Sequence, residues 1–244
     1  MQAIAAEVGF SETAFVAPAA GSDRTIRYYS PEGEVSFCGH ATIATGVKLG
    51  EIEGDGTYQL FTTVGKVSVT TKIENELRTA SLTSVDPHYS LADDDVVAEV
   101  LFCLNWQDSE LDASISPAIA YAGAYHLVLA VTKETRLVTL DYNFDRLKAL
   151  MLNHNLTTLQ LIWRESDHVF HSRNPFPVGG VVEDPATGAA AAALGGYLRE
   201  ANMVSAPITF LIRQGEAMGR PSRITVTVPK TGGIVVTGNA VRLP

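Results

Sequence analysis

The sequence predicts an α+β fold of two similar lobes, each a strongly curved β-sheet around one central helix. Three observations predict it. Short runs rich in Val, Ile, Thr and aromatic residues recur along the chain, with turn residues between them. Two segments, 41–51 (ATIATGVKLGE) and 187–200 (TGAAAAALGGYLRE), are instead rich in Ala and Gly and nearly free of charge until their last turn. These two segments also open alike and lie about 147 residues apart, as two copies of one architecture would.

The β runs fall first at 25–29, 58–63, 66–71 and 77–82. A helical stretch follows near 94–101. The β pattern then resumes at 115–122, 126–131, 158–163, 208–212, 223–228 and 233–237. Gly65-Lys66 and Gly232-Gly233 punctuate hairpins. A helix that is small and apolar around most of its circumference must be enclosed by other elements, so each Ala/Gly-rich segment reads as the centre of a lobe. Glu51 and Arg199-Glu200 mark where the two helices emerge. The division expected is an N-terminal lobe over 1–95 and a C-terminal lobe over 96–232, with the tail 233–244 packing back on the first.

Composition narrows the function classes. The chain has 244 residues, 46% of them hydrophobic, ample for a buried core. A net charge of −9 argues against nucleic acid as a partner, because a phosphate-contacting face needs clustered Lys and Arg. No apolar run is long enough to span a membrane, and the opening MQAIAAEV has no basic segment of a secretory signal. Cys38 and Cys103 do not make a disulfide framework. A cytoplasmic protein is expected.

Chemistry points to the two helix openings. Phe37-Cys38-Gly39-His40 leads into the first helix and Glu183-Asp184-Pro185-Ala186-Thr187-Gly188 into the second. Helix N-termini carry unpaired N–H groups and partial positive charge, so they bind anions. If the lobes face each other, both N-termini converge on one cleft suited to a small carboxylate. His40 and Asp184 would then face the ligand. The plainer alternatives are a cap for His40 and a turn or N-cap residue for Asp184. His126, inside a β run, reads either as a satisfied core histidine or as ligand-facing. His168 and His171 fall on opposite faces of a strand, a poor metal site. Cys103 belongs to a core helix.

Here the residues carry a resemblance. Phe37-Cys38-Gly39-His40-Ala41-Thr42 and Glu183-Asp184-Pro185-Ala186-Thr187-Gly188 resemble the two signature turns of the phenazine-biosynthesis PhzF-like family. Gln214-Gly215-Glu216-Ala217-Met218-Gly219-Arg220-Pro221-Ser222 resembles its third signature, and MQAIAAEVGFSETAF its Ser-Glu-Thr segment. The four motifs occur in the family's order and spacing from Met1 to the C-terminus. The resemblance implies the diaminopimelate-epimerase fold, two lobes of curled, mostly antiparallel sheet around a central helix, with the site between them. It implies an acid/base isomerase with neither metal nor organic cofactor, acting on a small carboxylated metabolite, and a homodimer. The catalytic residues it implies are Glu12, His40 and Asp184, with Gly39, Ala41, Gly188 and Ala189 at the substrate. Glu12 would remove a proton from carbon and return it elsewhere on the same molecule, a role for which a carboxylate shielded from water is suited. Without the motif, Glu12 is an exposed polar residue between a helix and a strand. Cys38 is expected to be a small buried residue beside the site. The turn at 218–222 is expected to close against the cleft, with Arg220 structural.

Two features depart from the family's pattern. Thr187-Gly188-Ala189 stands where Thr-Gly-Ser is frequent, which removes a hydroxyl near the substrate. The family's first strand and its Gly-Asn-Pro segment are also absent, so an open sheet edge is expected, a site of abnormal self-association if left uncovered. The rival to an active isomerase is a non-catalytic ligand-binding or interaction protein of the same fold. Asp184 at the second turn also speaks against the paired-thiol mechanism of the diaminopimelate epimerases.

Overall fold

A computed structural model describes residues 1–18, 23–74 and 76–240. The first half of the chain runs α1 (Gln2–Val8), β1 (Thr13–Pro18), β2 (Asp23–Tyr29), β3 (Glu34–Val35), α2 (Gly39–Glu53), β4 (Gly56–Thr62), β5 (Gly65–Glu74) and β6 (Leu77–Thr83). The second half opens with β7 (His88–Leu91), α3 (Asp94–Leu104), β8 (Ala118–Tyr121), β9 (Tyr125–Val131), α4 (Glu134–Val138) and α5 (Phe144–Asn153). It continues with β10 (Thr158–Ser166), β11 (Val169–Pro175), β12 (Glu183–Asp184), α6 (Gly188–Glu200), β13 (Ile208–Gln214), β14 (Ser222–Val228) and β15 (Val235–Asn239).

The strands form one continuous sheet in the order β1-β2-β4-β5-β6-β15-β14-β13-β11-β10-β9-β8-β7, with β3 on β2 and β12 on β11. Only β2–β4, β9–β10 and β11–β13 run parallel among the described pairs, so the sheet is mostly antiparallel. The last strand joins the halves. Val235 of β15 pairs with Thr83 of β6, and Thr237 with Thr225 of β14. β7 pairs with β8 and packs on α6, so by strand pairing residues 88–91 lie with the second half.

Each half curls around the expected helix. α2 touches β1, β5, β6 and β15, and α6 touches β7 through β10, β14 and β15. Every residue of α6 from Gly188 to Leu198 is buried, as its run of alanines and glycines requires. α2 is enclosed less completely than the sequence suggests. Ala44, Lys48 and Glu51 are exposed, a stripe at helical spacing that the first half of the sheet leaves uncovered. In the second half the sheet is covered on both faces. Along β9, Val128 and Ala130 face α6, while Leu127, Leu129 and Val131 pack with Leu101, Leu147 and Met151 of the outer helices α3 and α5. Cys103 lies in that outer core.

Candidate active site

The two central helices meet end to end at their N-termini. A Cβ added to Gly39 would fall 2.6 Å from the backbone of Gly188 and Ala189, and one added to Gly188 would fall 3.1 Å from Gly39 Cα. At Gly39 only glycine fits this approach, while at Gly188 a methyl group would need its neighbour to give by a few tenths of an ångström. Ala41 and Ala189 are buried just inside the two helices.

The first turn is fixed from below. Cys38 is the N-cap of α2, and its Sγ accepts the Ala41 N–H at 3.5 Å. Thr42 donates its hydroxyl to the Cys38 carbonyl at 2.6 Å. His40, next in the turn, reaches across to the other half. Its Nδ1–H donates to the Ala186 carbonyl at 2.9 Å and lies 3.5 Å from Asp184 Oδ2.

The second turn is held by a buried polar frame. Asp184 pairs with Asn174 in the β11–β12 ladder and is 1% exposed. Thr187 Oγ1 donates to Asp184 Oδ2 at 2.7 Å, and Ser11 Oγ donates to Oδ1 at 3.1 Å. Gln214 clamps the backbone, donating to the Asp184 carbonyl at 2.8 Å and accepting the Thr187 N–H at 3.1 Å. Arg173 holds the neighbouring Glu183 through a two-pronged ion pair.

Glu12 arrives from a third direction. Gly9, left-handed at φ 69°, ends α1 and turns the chain, and β1 begins at Thr13 opposite Tyr29. Glu12 is thereby held between a helix cap and a strand. Its side chain is 5% exposed, and Oε2 lies 3.2 Å from His40 Nε2. That approach is off the hydrogen-bonding direction, so this buried oxygen accepts no hydrogen bond among the described residues.

The structure thus brings Glu12, His40 and Asp184 together at the abutting helix ends. Their electrostatics follow. Burial disfavours the His40 imidazolium, but Cys38, Asp184 and Glu12 surround it, and its pKa stands well above the ordinary value. Burial also pushes the Cys38 thiol up to about 12, so it is neutral at pH 7 and the two carboxylates supply the field. Burial raises Asp184 too, but the His40 charge and hydrogen bonds from His40, Thr187 and Ser11 outweigh it and hold the carboxyl below its usual range. His126 is different: fully buried, its pKa drops to about 3 because burial penalises the cation. Its Nδ1 bonds Thr158 Oγ1 at 2.8 Å, while Nε2 has no partner among the described residues.

A cavity of about 600 Å³ opens beside His40, Ala186 and Gly188, bounded by Glu216, Pro221, Ser222 and Arg223. Of the 218–222 segment, Pro221 and Ser222 border this space, while Met218 and Arg220 line a separate recess with Phe10 and Ser11. Ser222 Oγ donates to the Pro185 carbonyl at 2.9 Å, and the Arg220 guanidinium lies 5.2 Å from the Phe10 ring centroid, on the other side. Not every backbone donor here is free. Gly188 N–H bonds the Ala186 carbonyl at 3.2 Å, and Ala41 N–H is held by Cys38. Glu12, Cys38 and His40 place donor atoms within 4.8 Å of one another, a set able to hold a metal ion.

Ser11, Thr187 and Gln214 complete the site although the sequence reading assigned them no role. All three lie inside the quoted motifs; adjacency to Glu12 and Asp184 signals Ser11 and Thr187, whereas Gln214 is signalled only by opening the third motif.

The family model for the phenazine biosynthesis-like proteins (PhzC-PhzF) matches residues 1–243. The chain belongs to this family. It is 30% identical over 224 residues to the trans-2,3-dihydro-3-hydroxyanthranilate isomerase of Pseudomonas fluorescens, covering 91% of this chain and 77% of that protein. It is 28% identical to the uncharacterized isomerase YddE of Escherichia coli K12, covering 100% and 86%. Among solved structures, a PhzF-family protein of Bacillus anthracis superposes with a TM-score of 0.83 at 22% identity, covering 100% and 86%. A hydroxyproline epimerase of Agrobacterium vitis superposes at 0.69 and 15% identity, covering 95% and 72%. The PhzF-like chain is an isomerase, on the two-lobed fold its sequence predicted.

Proposed function

We propose that this PhzF-like protein moves a proton between two positions of a small carboxylated metabolite without a cofactor, and that Glu12 carries the proton. One observation supports this most directly. A buried carboxylate, one oxygen of which accepts no hydrogen bond among the described residues, stands 3.2 Å from an imidazole that lies at two helix N-termini and borders an open cavity. A carbon acid needs a base free of competing bonds and fixed positive charge where the carbanion develops. Glu12 Oε2 is the base. The imidazolium of His40 and the two helix ends supply the charge.

In the proposed cycle Glu12 takes the proton from carbon, becomes neutral, and delivers it to a second atom of the same molecule. His40 and Asp184 orient the amino or hydroxyl group. Arg223 at the cavity wall, with the N-terminal N–H groups near Gly39 and Gly188, receives the carboxylate. Ala189 offers no hydroxyl at the second turn, and the Thr187 and Ser11 hydroxyls are committed to Asp184, so His40 reads the ligand's polar groups. A cytoplasmic location and homodimeric assembly belong to the same proposal, and light scattering at twice the chain mass tests the latter.

The experiment uses heavy water. Trans-2,3-dihydro-3-hydroxyanthranilate, the substrate in the Pseudomonas relative's name, and hydroxyproline are the trial compounds. Deuterium should enter at carbon with the native protein and not with Glu12→Gln. Exchange that persists in Glu12→Gln removes Glu12 from the role, and tight binding of both compounds without exchange favours a ligand-binding protein.

A further inference from the structure

We propose that the site is also a receptor for a borderline-soft divalent cation of the Zn²⁺ type, bound by Glu12 Oε2, Cys38 Sγ and His40 Nε2, and that the bound ion shuts the isomerase off. The inactivation rests on the role proposed for Glu12; the binding does not.

Geometry carries the inference. Ligand atoms around a tetrahedral Zn²⁺, at ~2.3 Å for sulfur and ~2.0 Å for nitrogen or oxygen, stand roughly 3.3–3.6 Å apart. Here Cys38 Sγ lies 3.5 Å from His40 Nε2, and Nε2 lies 3.2 Å from Glu12 Oε2. All three donors fall within 4.8 Å of one another. Two of the three edges are therefore close to the lengths a bound ion requires, and the third, between sulfur and carboxylate, is within 4.8 Å. Glu12 Oε2 is buried and accepts no hydrogen bond among the described residues.

The surroundings match those of ligating histidines. Such histidines donate the other ring N–H to a carbonyl or carboxylate, which fixes tautomer and ring orientation. His40 Nδ1 donates to the Ala186 carbonyl at 2.9 Å, so Nε2, whose hydroxyl neighbour Ser11 Oγ stands 3.4 Å away, is the nitrogen that would meet an ion. Of the three donors His40 borders the 600 Å³ cavity, which brings solvent to the edge of the set.

The charge balance is favourable. The ion displaces the Cys38 thiol proton and the His40 imidazolium proton to the buffer, with no change of oxidation state. A dication, a thiolate, a neutral imidazole and a carboxylate then sum to zero, and the Asp184 carboxylate, 3.5 Å from His40 Nδ1, leaves one negative charge beside the complex. Glu12 in that complex is committed to the ion and cannot accept a proton from carbon.

Titration of the full chain with Co²⁺ tests this without any substrate. The expected result is a near-ultraviolet thiolate-to-cobalt charge-transfer band that saturates at one equivalent and is erased by Zn²⁺. Cys38→Ser, which keeps a capping side chain, should lose the band while its circular dichroism stays native. Glu12→Gln retains the thiol and should shift half-saturation at least ~10-fold. A missing band in the native protein, a band that survives in Cys38→Ser, or an unmoved midpoint in Glu12→Gln overturns the proposal. If Co²⁺ binds as expected but no trial compound exchanges deuterium, the ion site stands and the reaction proposed for Glu12 falls.

Discussion

Gly39→Ala tests whether the abutting helix ends set the geometry of the site. The new methyl carbon would lie 2.6 Å from backbone atoms of Gly188 and Ala189, whereas ordinary contact begins at 3.4 Å. The two helix ends must therefore part by roughly 0.8 Å, the difference of those distances. Neither side can yield by rotating a side chain, because both surfaces are backbone. Overpacking of this kind costs about 1–3 kcal/mol, and Ala returns less than about 1 kcal/mol of helix propensity in the first turn. A net loss near 2 kcal/mol is expected from urea denaturation. Gly188→Ala meets Gly39 Cα at 3.1 Å, a gap roughly 0.3 Å short, and should lose well under half as much. Gly56→Ala is the control, since nothing lies within 4 Å of its Cβ position. Catalysis should suffer more than stability, because an ångström of misplacement between reacting groups lowers rates on the order of 10²-fold. A Gly39→Ala protein as stable and as active as the native one would refute the claim that the helices meet this closely.

Three further predictions rest on the same frame. His126 has its folded pKa depressed to about 3, below an unfolded value near 6.5, so its contribution is full above pH 6.5 and is lost as pH falls toward 3. Between pH 7 and pH 4 this amounts to roughly 3 kcal/mol, and His126→Gln should flatten that part of the stability curve. Arg173→Met strands the buried Glu183 charge and should cost about 3–5 kcal/mol by denaturant titration; a loss under about 1 kcal/mol would mean Glu183 finds other support. Gln214→Leu leaves the Thr187 N–H and the Asp184 carbonyl unpaired, for about 2 kcal/mol, with faster amide exchange at Thr187 as the local signature.

How far the sequence could be read depended on how many neighbours each feature needed. The alanine and glycine runs of α6 declare an enclosed helix because no other environment satisfies such a surface, and all of Gly188–Leu198 is buried. β11 was missed because its residues, VFHSRNP, answer to partners far away: Arg173 to Glu183, Asn174 to Thr158 and Gln160, His171 to Glu165. β1 and α5 were missed for no reason of length: β1 is longer than the run read at 25–29, and α5 buries Leu147, Leu150 and Met151 at helical spacing. At the site, Glu12, His40 and Asp184 were legible through motifs. That Cys38 is the N-cap of α2 was not, since sulfur seldom caps and only the position of Ala41 N shows it. Nor could His126 be decided in advance. Burial of its ring is a property of the sheet, and the structure makes it half satisfied.

The apposition of the helix ends also explains why the site needs its carboxylates before any substrate arrives. Each helix N-terminus carries roughly +0.5 elementary charge, and two such ends in contact repel. His40 adds a full positive charge between them. Glu12 and Asp184 bring the total back to about zero, and Asp184 responds by holding its proton less tightly than an ordinary carboxyl. In the cycle proposed above, a carboxylated substrate would make the sum negative, but proton abstraction would then leave it unchanged: Glu12 would become neutral as the reacting carbon became anionic. The charge moves only from Glu12 to a neighbouring atom, within a field of helix ends and imidazolium that does not have to rearrange. Fixed dipoles facing a charge that merely changes place are the condition for electrostatic stabilisation of a transition state. The contact between Gly39 and Gly188 is what makes that field rigid, which is why its disruption should lower turnover more than it loosens the fold.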